Sequence, residues 1–308
     1  MASRSGDLLG ASANVFSIPC RNLVMIDIHC HLLPGVDDGA VDLGESLAMC
    51  RMAAQDGCTA MVATPHLRHE QWWNPDRRRL EELWRHLRDA AGDDPEVFLG
   101  GEIAVNSQSL RELELLPEGD LLPLAGSRYL LLEFHPRGLG PDPEDLIHEL
   151  VVEGWYPIIA HPERIPWLAS DLGYLAALLG QGAVTQLTAM SVTGDMGRLL
   201  HDAATRMLDA GMVHFIASDA HDARIRHPGL AKAYRLISET RGEAIARQLF
   251  VVNPMSVLEN RPLPPPAVTA SAPRATSGPG APAQPGGALH NGPSPGVKPP
   301  ARLTRDPR

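Results

Sequence analysis

The chain has 308 residues, 44% of them hydrophobic, and a formal net charge of −10, which sets one or two domains of ordinary globular make-up. The acidic balance argues against a general nucleic-acid or membrane-surface binder. Four cysteines, Cys20, Cys30, Cys50 and Cys58, make no C-x-x-C pair and no secreted disulfide framework, so a reducing cytoplasm is expected. Residues 1–22 are small and polar, lack the basic segment and long apolar core of a signal peptide, and read as a loosely ordered leader.

From residue 23 to 260, short apolar runs alternate with helical patterns. The runs are Leu23–Ile28, Ala60–Thr64, Val97–Gly101, Tyr129–Phe134, Pro157–Ala160, Ala183–Leu187 and Val213–Ala217. Amphipathic stretches separate them, among them Gly44–Asp56, Asp76–Ala91, Pro143–Glu153 and Arg198–Ala210. Seven strands alternating with helices predict a parallel α/β sheet covered on both faces. Near-continuous apolar strands over about 240 residues fit a closed β/α barrel. A doubly wound sheet usually carries a Gly-rich phosphate turn after its first strand, and here that turn holds His29-Cys30-His31. No apolar run is long enough to span a bilayer. Residues 261–308 turn to proline, glycine, alanine and serine without hydrophobic period, which predicts a disordered tail. From Pro262 on it carries Arg274, Lys298, Arg302, Arg305 and Arg308 against Asp306, a net +4 that leaves −14 for the rest of the chain.

The polar residues cluster where the strands end. Strand one ends in His29 and His31, which point the same way because alternate residues of an extended strand share a face. In the following Pro34-Gly35-Val36-Asp37-Asp38-Gly39, Asp38 is the better ligand and Asp37 reads as part of an acidic turn. Strand two leads to His66, and strand three to Gly100-Gly101-Glu102, whose glycines let the backbone crowd a site. Glu133 and His135 compete for one position after strand four; strand five gives His161 and strand seven Asp219 and His221. Five histidines and four carboxylates exceed one ion, which takes roughly four to six ligands, so two or three ions are expected. Mixed His/carboxylate ligation suits manganese, iron or zinc better than magnesium or calcium.

Arg164 follows His161 by three residues and Arg226 follows His221 by five; a guanidinium beside a metal site is a natural clamp for phosphate oxygens. Clustered metals with arginine clamps suit phosphoester hydrolysis, since a metal lowers the pKa of its bound water and the cations absorb charge on the phosphoryl group. A cysteine-based phosphatase needs an arginine six residues after its thiolate, where this chain has Ile26, Val36, Asp56 and Thr64. Cys30, between two ligands, is expected to point away from them. Dinuclear amidohydrolases bridge their metals with a modified lysine, yet the two lysines, Lys232 and Lys298, stand far from any strand end. Mononuclear amidohydrolases and metal nucleases stay open at this point.

Asp27-Ile28-His29-Cys30-His31-Leu32-Leu33-Pro34-Gly35-Val36-Asp37-Asp38-Gly39, Ala63-Thr64-Pro65-His66, Gly101-Glu102, Leu132-Glu133-Phe134, His161-Pro162-Glu163-Arg164 and Ser218-Asp219-Ala220-His221 run from about Met25 to Glu259. Together they resemble the polymerase-and-histidinol-phosphatase (PHP) superfamily and, within it, the bacterial protein-tyrosine phosphatases of the CpsB/YwqE type from polysaccharide loci. The resemblance implies a distorted seven-stranded (β/α)7 TIM-like barrel with a three-metal site. One ion would take His29, His31, Glu102 and Asp219; a second Glu102, Glu133 and His161; a third Asp38, His66 and His221. Glu133 follows the family's Leu-Glu-Phe pattern, which leaves His135 outside the ligand set. Arg164 matches the family's phosphate-handling arginine and Arg226 is a looser match.

It also implies manganese as the first choice of metal and a phosphotyrosine protein as substrate, most naturally a bacterial tyrosine kinase of capsule or exopolysaccharide synthesis. A homo-oligomer is compatible with it; a nucleic-acid partner and membrane insertion are not expected. Trp72 and Trp73 can flank an aromatic phosphoester or pack on a neighbour. A small-molecule phosphomonoesterase of the histidinol-phosphatase kind, a metal nuclease and a non-catalytic binding module are the competing readings. For Gln186 a structural role is favoured over a place at the site.

Overall fold

A computed structural model describes residues 24–263, apart from 75, 93, 94, 114, 115, 117 and 118. The leader over 1–22, and the tail over 261–308 save its first three residues, lie outside the described residues. The first half runs β1 (Met25–Cys30), α1 (Leu43–Gln55), β2 (Cys58–Ala63), β3 (His66–Leu67), α2 (Arg77–Ala91), β4 (Glu96–Leu99), β5 (Glu102–Ala104), α3 (Ser107–Leu113), β6 (Tyr129–Glu133) and α4 (Pro143–Val152). The second half runs β7 (Tyr156–Ala160), α5 (Pro166–Ser170), α6 (Leu172–Gly180), β8 (Val184–Thr188), α7 (Ala189–Thr193), α8 (Arg198–Asp209), β9 (Phe215–Ala217), α9 (Ala231–Arg241), α10 (Glu243–Arg247) and α11 (Asn253–Leu258).

The four helices read from periodicity begin and end within a residue of expectation. Aspartates start three of them: Asp42 accepts from Glu45 N–H, Asp76 from Arg78 and Arg79 N–H, and Asp142 from Glu144 N–H with Pro143 in the first turn. Every strand pairing is parallel, in a three-stranded sheet β1-β2-β4 and a six-stranded sheet β3-β5-β6-β7-β8-β9. All strand C-termini therefore lie along one edge. His31 N–H donates to Ala220 O at 2.8 Å and Asp219 N–H to His29 O at 2.9 Å, tying the end of β1 to the end of β9.

Seven strands are expected and nine are found among the described residues, because a short strand follows each of the second and third expected runs, β3 after β2 and β5 after β4. Pro65 has no N–H to give and separates β2 from β3; Gly100-Gly101 separates β4 from β5. The two breaks stay in step, with Gly100 N–H on Ala63 O at 2.9 Å and Glu102 N–H on Pro65 O at 3.0 Å. Neither glycine has room for a side chain: a Cβ on Gly101 would stand 2.2 Å from Leu67 Cδ1, and one on Gly100 2.8 Å from Leu124 Cδ2.

Both strand faces are buried, as in covered parallel sheets. Ile26, Ile28, Val62, Leu131, Ile158 and Phe215 pack together on one side. Met25, Met61, Leu132, Ile159 and Ile216 meet the helices through Met49, Leu87, Leu150, Leu178 and Met207. No described helix is long and apolar enough to cross a membrane.

Gly101→Ala is expected to lower stability by about 1–3 kcal/mol through overpacking on Leu67. A urea midpoint equal to that of the parent would show that Leu67 yields without cost.

Candidate metal centre

His29 and His31 leave the end of β1 on one face, and each ring is held by a partner distant in sequence or on the next turn. His29 Nδ1 lies 2.8 Å from Gln186 Oε1 on β8, and His31 Nδ1 lies 2.9 Å from Asp37 Oδ2. Both partners are acceptors, so both Nδ1 atoms carry the proton and both Nε2 lone pairs are left exposed to the same space. The two Nε2 atoms stand 3.3 Å apart.

Glu102 enters that space from β5. Its Oε2 is 3.4 Å from His29 Nε2, 3.4 Å from His31 Nε2 and 3.0 Å from His66 Nδ1, and its Oε1 is 2.8 Å from His161 Nε2. Glu133, at the end of β6, sets Oε2 3.6 Å from His66 Nδ1. Asp38 Oδ1 is 3.4 Å from both His66 Nε2 and His221 Nε2, while His221 Nδ1 donates to Asp219 O at 3.0 Å. His161 and Asp219 hold their side chains in place from left-handed backbone, with φ of +31° and +52°. After His161 the chain makes one 3-10 turn, Pro162–Arg164, in which the buried Glu163 accepts from Thr188 N–H at 2.9 Å and ties the ends of β7 and β8 together.

Buried polar atoms normally find partners. Here Glu102 Oε2, Glu133 Oε2 and His66 Nδ1 have no hydrogen bond. They converge on shared space instead, which is the donor geometry that divalent cations complete. Four overlapping sets result: His31, Asp38, His66, His221; His29, His31, Asp219; His29, Glu102, His161; and His66, Glu102, Glu133, with the ligand atoms of each within 4.8 Å of one another. All nine residues singled out as ligands fall in these sets. His135 does not: its Nδ1 accepts from Arg137 N–H at 3.1 Å and its carbonyl from Trp167 Nε1 at 3.1 Å.

The charges follow the packing. Burial alone would depress His31, yet Asp37 and Glu102 push it up to about 9; burial is likewise outweighed at His66 by Glu102 and Asp38, which push it up to about 11. Burial, reinforced by the Glu102 charge, lifts Glu133 to about 7. Burial also raises Asp219, but His29, Arg164 and Arg226 overcome it and hold its carboxyl well below the usual range.

Arg164 ion-pairs with the Asp219 carboxylate. Arg226 Nη2 stands 2.7 Å from Asp219 Oδ2 and 3.0 Å from Asp219 O. It returns to the site because Asp222 accepts from Arg224, Ile225 and Arg226 N–H and curls the loop, leaving Arg224 exposed. A cavity of about 840 Å³ opens over the cluster, walled by Trp72, Asn106, His135, Leu139, Arg164 and Arg226 among others. Trp72 lies nearly parallel to His66, 5.2 Å and 11° between rings, with His69 stacked on it at 4.9 Å. Trp73 is 45% exposed and stands outside the cavity wall, under the Arg68 guanidinium at 5.6 Å.

Two residues of the site were misjudged from sequence. Asp37 is no bystander of the acidic turn: it orients His31 and also accepts from Gly39 N–H and His66 N–H. Gln186 reaches the site by fixing His29. An amide between Thr185 and Leu187, in a run taken as a buried strand, was the available signal for Gln186; for Asp37 nothing in the turn pointed to His31. Cys30 is buried and its thiol turns to Ala220 O, away from the cluster.

Parallel strands ending in convergent histidines and carboxylates define an α/β protein with a candidate metal centre, beside which Arg164 and Arg226 stand. Residues 25–259 match the model of the family described as capsular polysaccharide synthesis, CpsB/CapC, and the chain belongs to that family. It is 33% identical over 229 residues to the tyrosine-protein phosphatase YwqE of Bacillus subtilis, covering 73% of this chain and 88% of that protein. It is 28% identical over 243 residues to the tyrosine-protein phosphatase CpsB of Streptococcus agalactiae, covering 77% and 99%. A solved structure from a study of YwqE from Bacillus subtilis and CpsB from Streptococcus pneumoniae, described as metal-dependent tyrosine phosphatases, superposes with a TM-score of 0.71 at 31% identity, covering 78% of this chain and 96% of that one.

Asp37→Ala is expected to weaken manganese binding about 10- to 100-fold by freeing the His31 ring. Calorimetric titration checks it; unchanged affinity would show that His31 is oriented by other contacts.

Proposed function

We propose that the chain is a metal-dependent protein-tyrosine phosphatase. The observation that carries this is Glu102 Oε2, a buried carboxylate oxygen with three imidazole nitrogens within 3.4 Å and no hydrogen-bond donor. The nine residues His29, His31, Asp38, His66, Glu102, Glu133, His161, Asp219 and His221 would hold two or three divalent ions. Their mixed nitrogen and oxygen donors suit manganese first, with iron or zinc as alternatives. Divalent ions there supply Lewis acidity toward phosphoryl oxygens and a lowered pKa for water.

The chain's own groups do the rest. Arg164 and Arg226 bind phosphoryl oxygens and orient the phosphorus toward the cluster. Trp72 offers its face to the phenyl ring. A phenol has a pKa of about 10 and leaves as phenolate, so no strong general acid is required of the protein. The two sheets, joined at β1 and β9, support a distorted seven-unit barrel as the frame. Kinship with capsule-synthesis phosphatases supports a phosphotyrosine protein, such as a bacterial tyrosine kinase, as the substrate. The acidic body, −10 overall, gives no support to a nucleic-acid substrate.

Protein stripped of metal and resupplied with manganese is expected to hydrolyse a phosphotyrosine peptide and to prefer it over phosphoserine and histidinol phosphate. Arg164→Ala should keep the metal and lower kcat about 100- to 1,000-fold. Normal turnover by that variant would remove the phosphate-clamp role. Trp72→Ala should raise KM about three- to tenfold for phenyl phosphate and leave an alkyl phosphate unchanged. An equal effect on both would make Trp72 a packing residue only.

A further inference from the structure

A second pocket, about 210 Å³, opens beside the metal cavity and shares His135, Leu139 and Pro141 with its wall. Its other walls are Phe134, Gly138, Pro143, Trp167 and Tyr174, and no carboxylate, lysine or arginine lines it. The rings interlock: Phe134 meets Trp167 edge-to-face at 6.0 Å and 87°, and Trp167 meets Tyr174 at 6.0 Å and 60°. The Trp167 indole N–H is spent on His135 O at 3.1 Å, so the pocket presents ring surface and not a donor from that side. Leu139 stands 59% exposed at the boundary between the two spaces.

We infer that this pocket is a subsite for one apolar side chain, aliphatic or aromatic, of the polypeptide that carries the phosphotyrosine. This rests on the phosphatase reading above. The occupant is fixed by continuity and by reach. Glu133 faces the metal cluster and His135, two residues on, walls the subsite; two residues of extended chain span about 7 Å. An extended peptide advances about 3.4 Å per residue, so the side chain received lies within about three residues of the phosphotyrosine. The lining discriminates by desolvation: an apolar side chain loses water contact with gain, whereas Asp, Glu or Lys would be stripped of water with no carboxylate, lysine or arginine to pair with. Trp167 and Tyr174 line the subsite and not the metal cavity, so selection there acts on the peptide and not on the phosphate ester itself.

The test uses the manganese-loaded full chain and phosphotyrosine peptides of one framework, with Leu, Phe, Gly or Asp placed in turn at each of the three positions on either side. Leu or Phe at one position is expected to raise kcat/KM about tenfold over Asp at that position. Tyr174→Glu, on a half-buried position lining only the subsite, should abolish the preference while turning over phenyl phosphate at the parent rate. Trp167→Ala should reduce the preference in the same way. Turnover of all peptides at equal rates overturns the subsite and leaves the phosphatase reading standing. A preference that survives undiminished in Tyr174→Glu places the selecting surface elsewhere and overturns it too. No turnover of phenyl phosphate or of any peptide, with manganese bound, overturns the phosphatase reading and the subsite with it.

Discussion

Glu102 is a fully buried carboxylate, and its place forces most of what surrounds it. A buried charge is tolerated only against compensating charge or coordination. That requirement draws His29 and His31 from β1, His66 from β3 and His161 from the end of β7 to one level. Glu102 itself reaches the level because β5 opens directly after Gly100-Gly101, in register with His66. The jog in the sheet is thus part of the centre: without side chains at 100 and 101, two strands shift together and bring a carboxylate and an imidazole side by side. The outer partners Asp37 and Gln186 then settle which ring nitrogen faces inward.

Around this inner set the protein builds a second layer with different work to do. Arg164 and Arg226 both lean on Asp219, so a residue of the donor cluster also positions the arginine pair. The aromatic wall is equally supported. Arg68 pairs with Glu112 and donates to Asn74 O at 2.7 Å, while Asn74 donates to His66 O at 2.8 Å. The loop that carries His69 and Trp72 is therefore fastened at both ends, and an aromatic face offered by a fastened loop loses little freedom on binding.

The motif residues were legible because they obey local rules. His29 and His31 follow from the period of a strand, Glu102 from glycines before a strand end, and the helices from their apolar spacing and aspartate caps. What stayed hidden depended on contacts made by the fold. Gln186 meets His29 across 157 positions, a pairing that no local pattern encodes. The two additional short strands, β3 and β5, rest on how Leu67 and Leu124 crowd two glycines. Arg226 looked loosely placed because its loop is read by length alone, whereas a single aspartate, Asp222, sets its curl.

Cys30 lies between two inward-facing histidines yet points the other way, and Cys50 and Cys58 are buried with it. Burial pushes the Cys50 thiol up to about 11 and raises Cys30 and Cys58 well above the ordinary thiol value. Thiols of this kind are scarcely ionised and out of contact with solvent, and so are poor nucleophiles toward peroxides and alkylating agents. A thiolate-based phosphatase is silenced by oxidation of the very atom that attacks phosphorus. Among the described residues this protein exposes no such atom, and the buried thiols of Cys30, Cys50 and Cys58 give an oxidant no route of that kind to its centre.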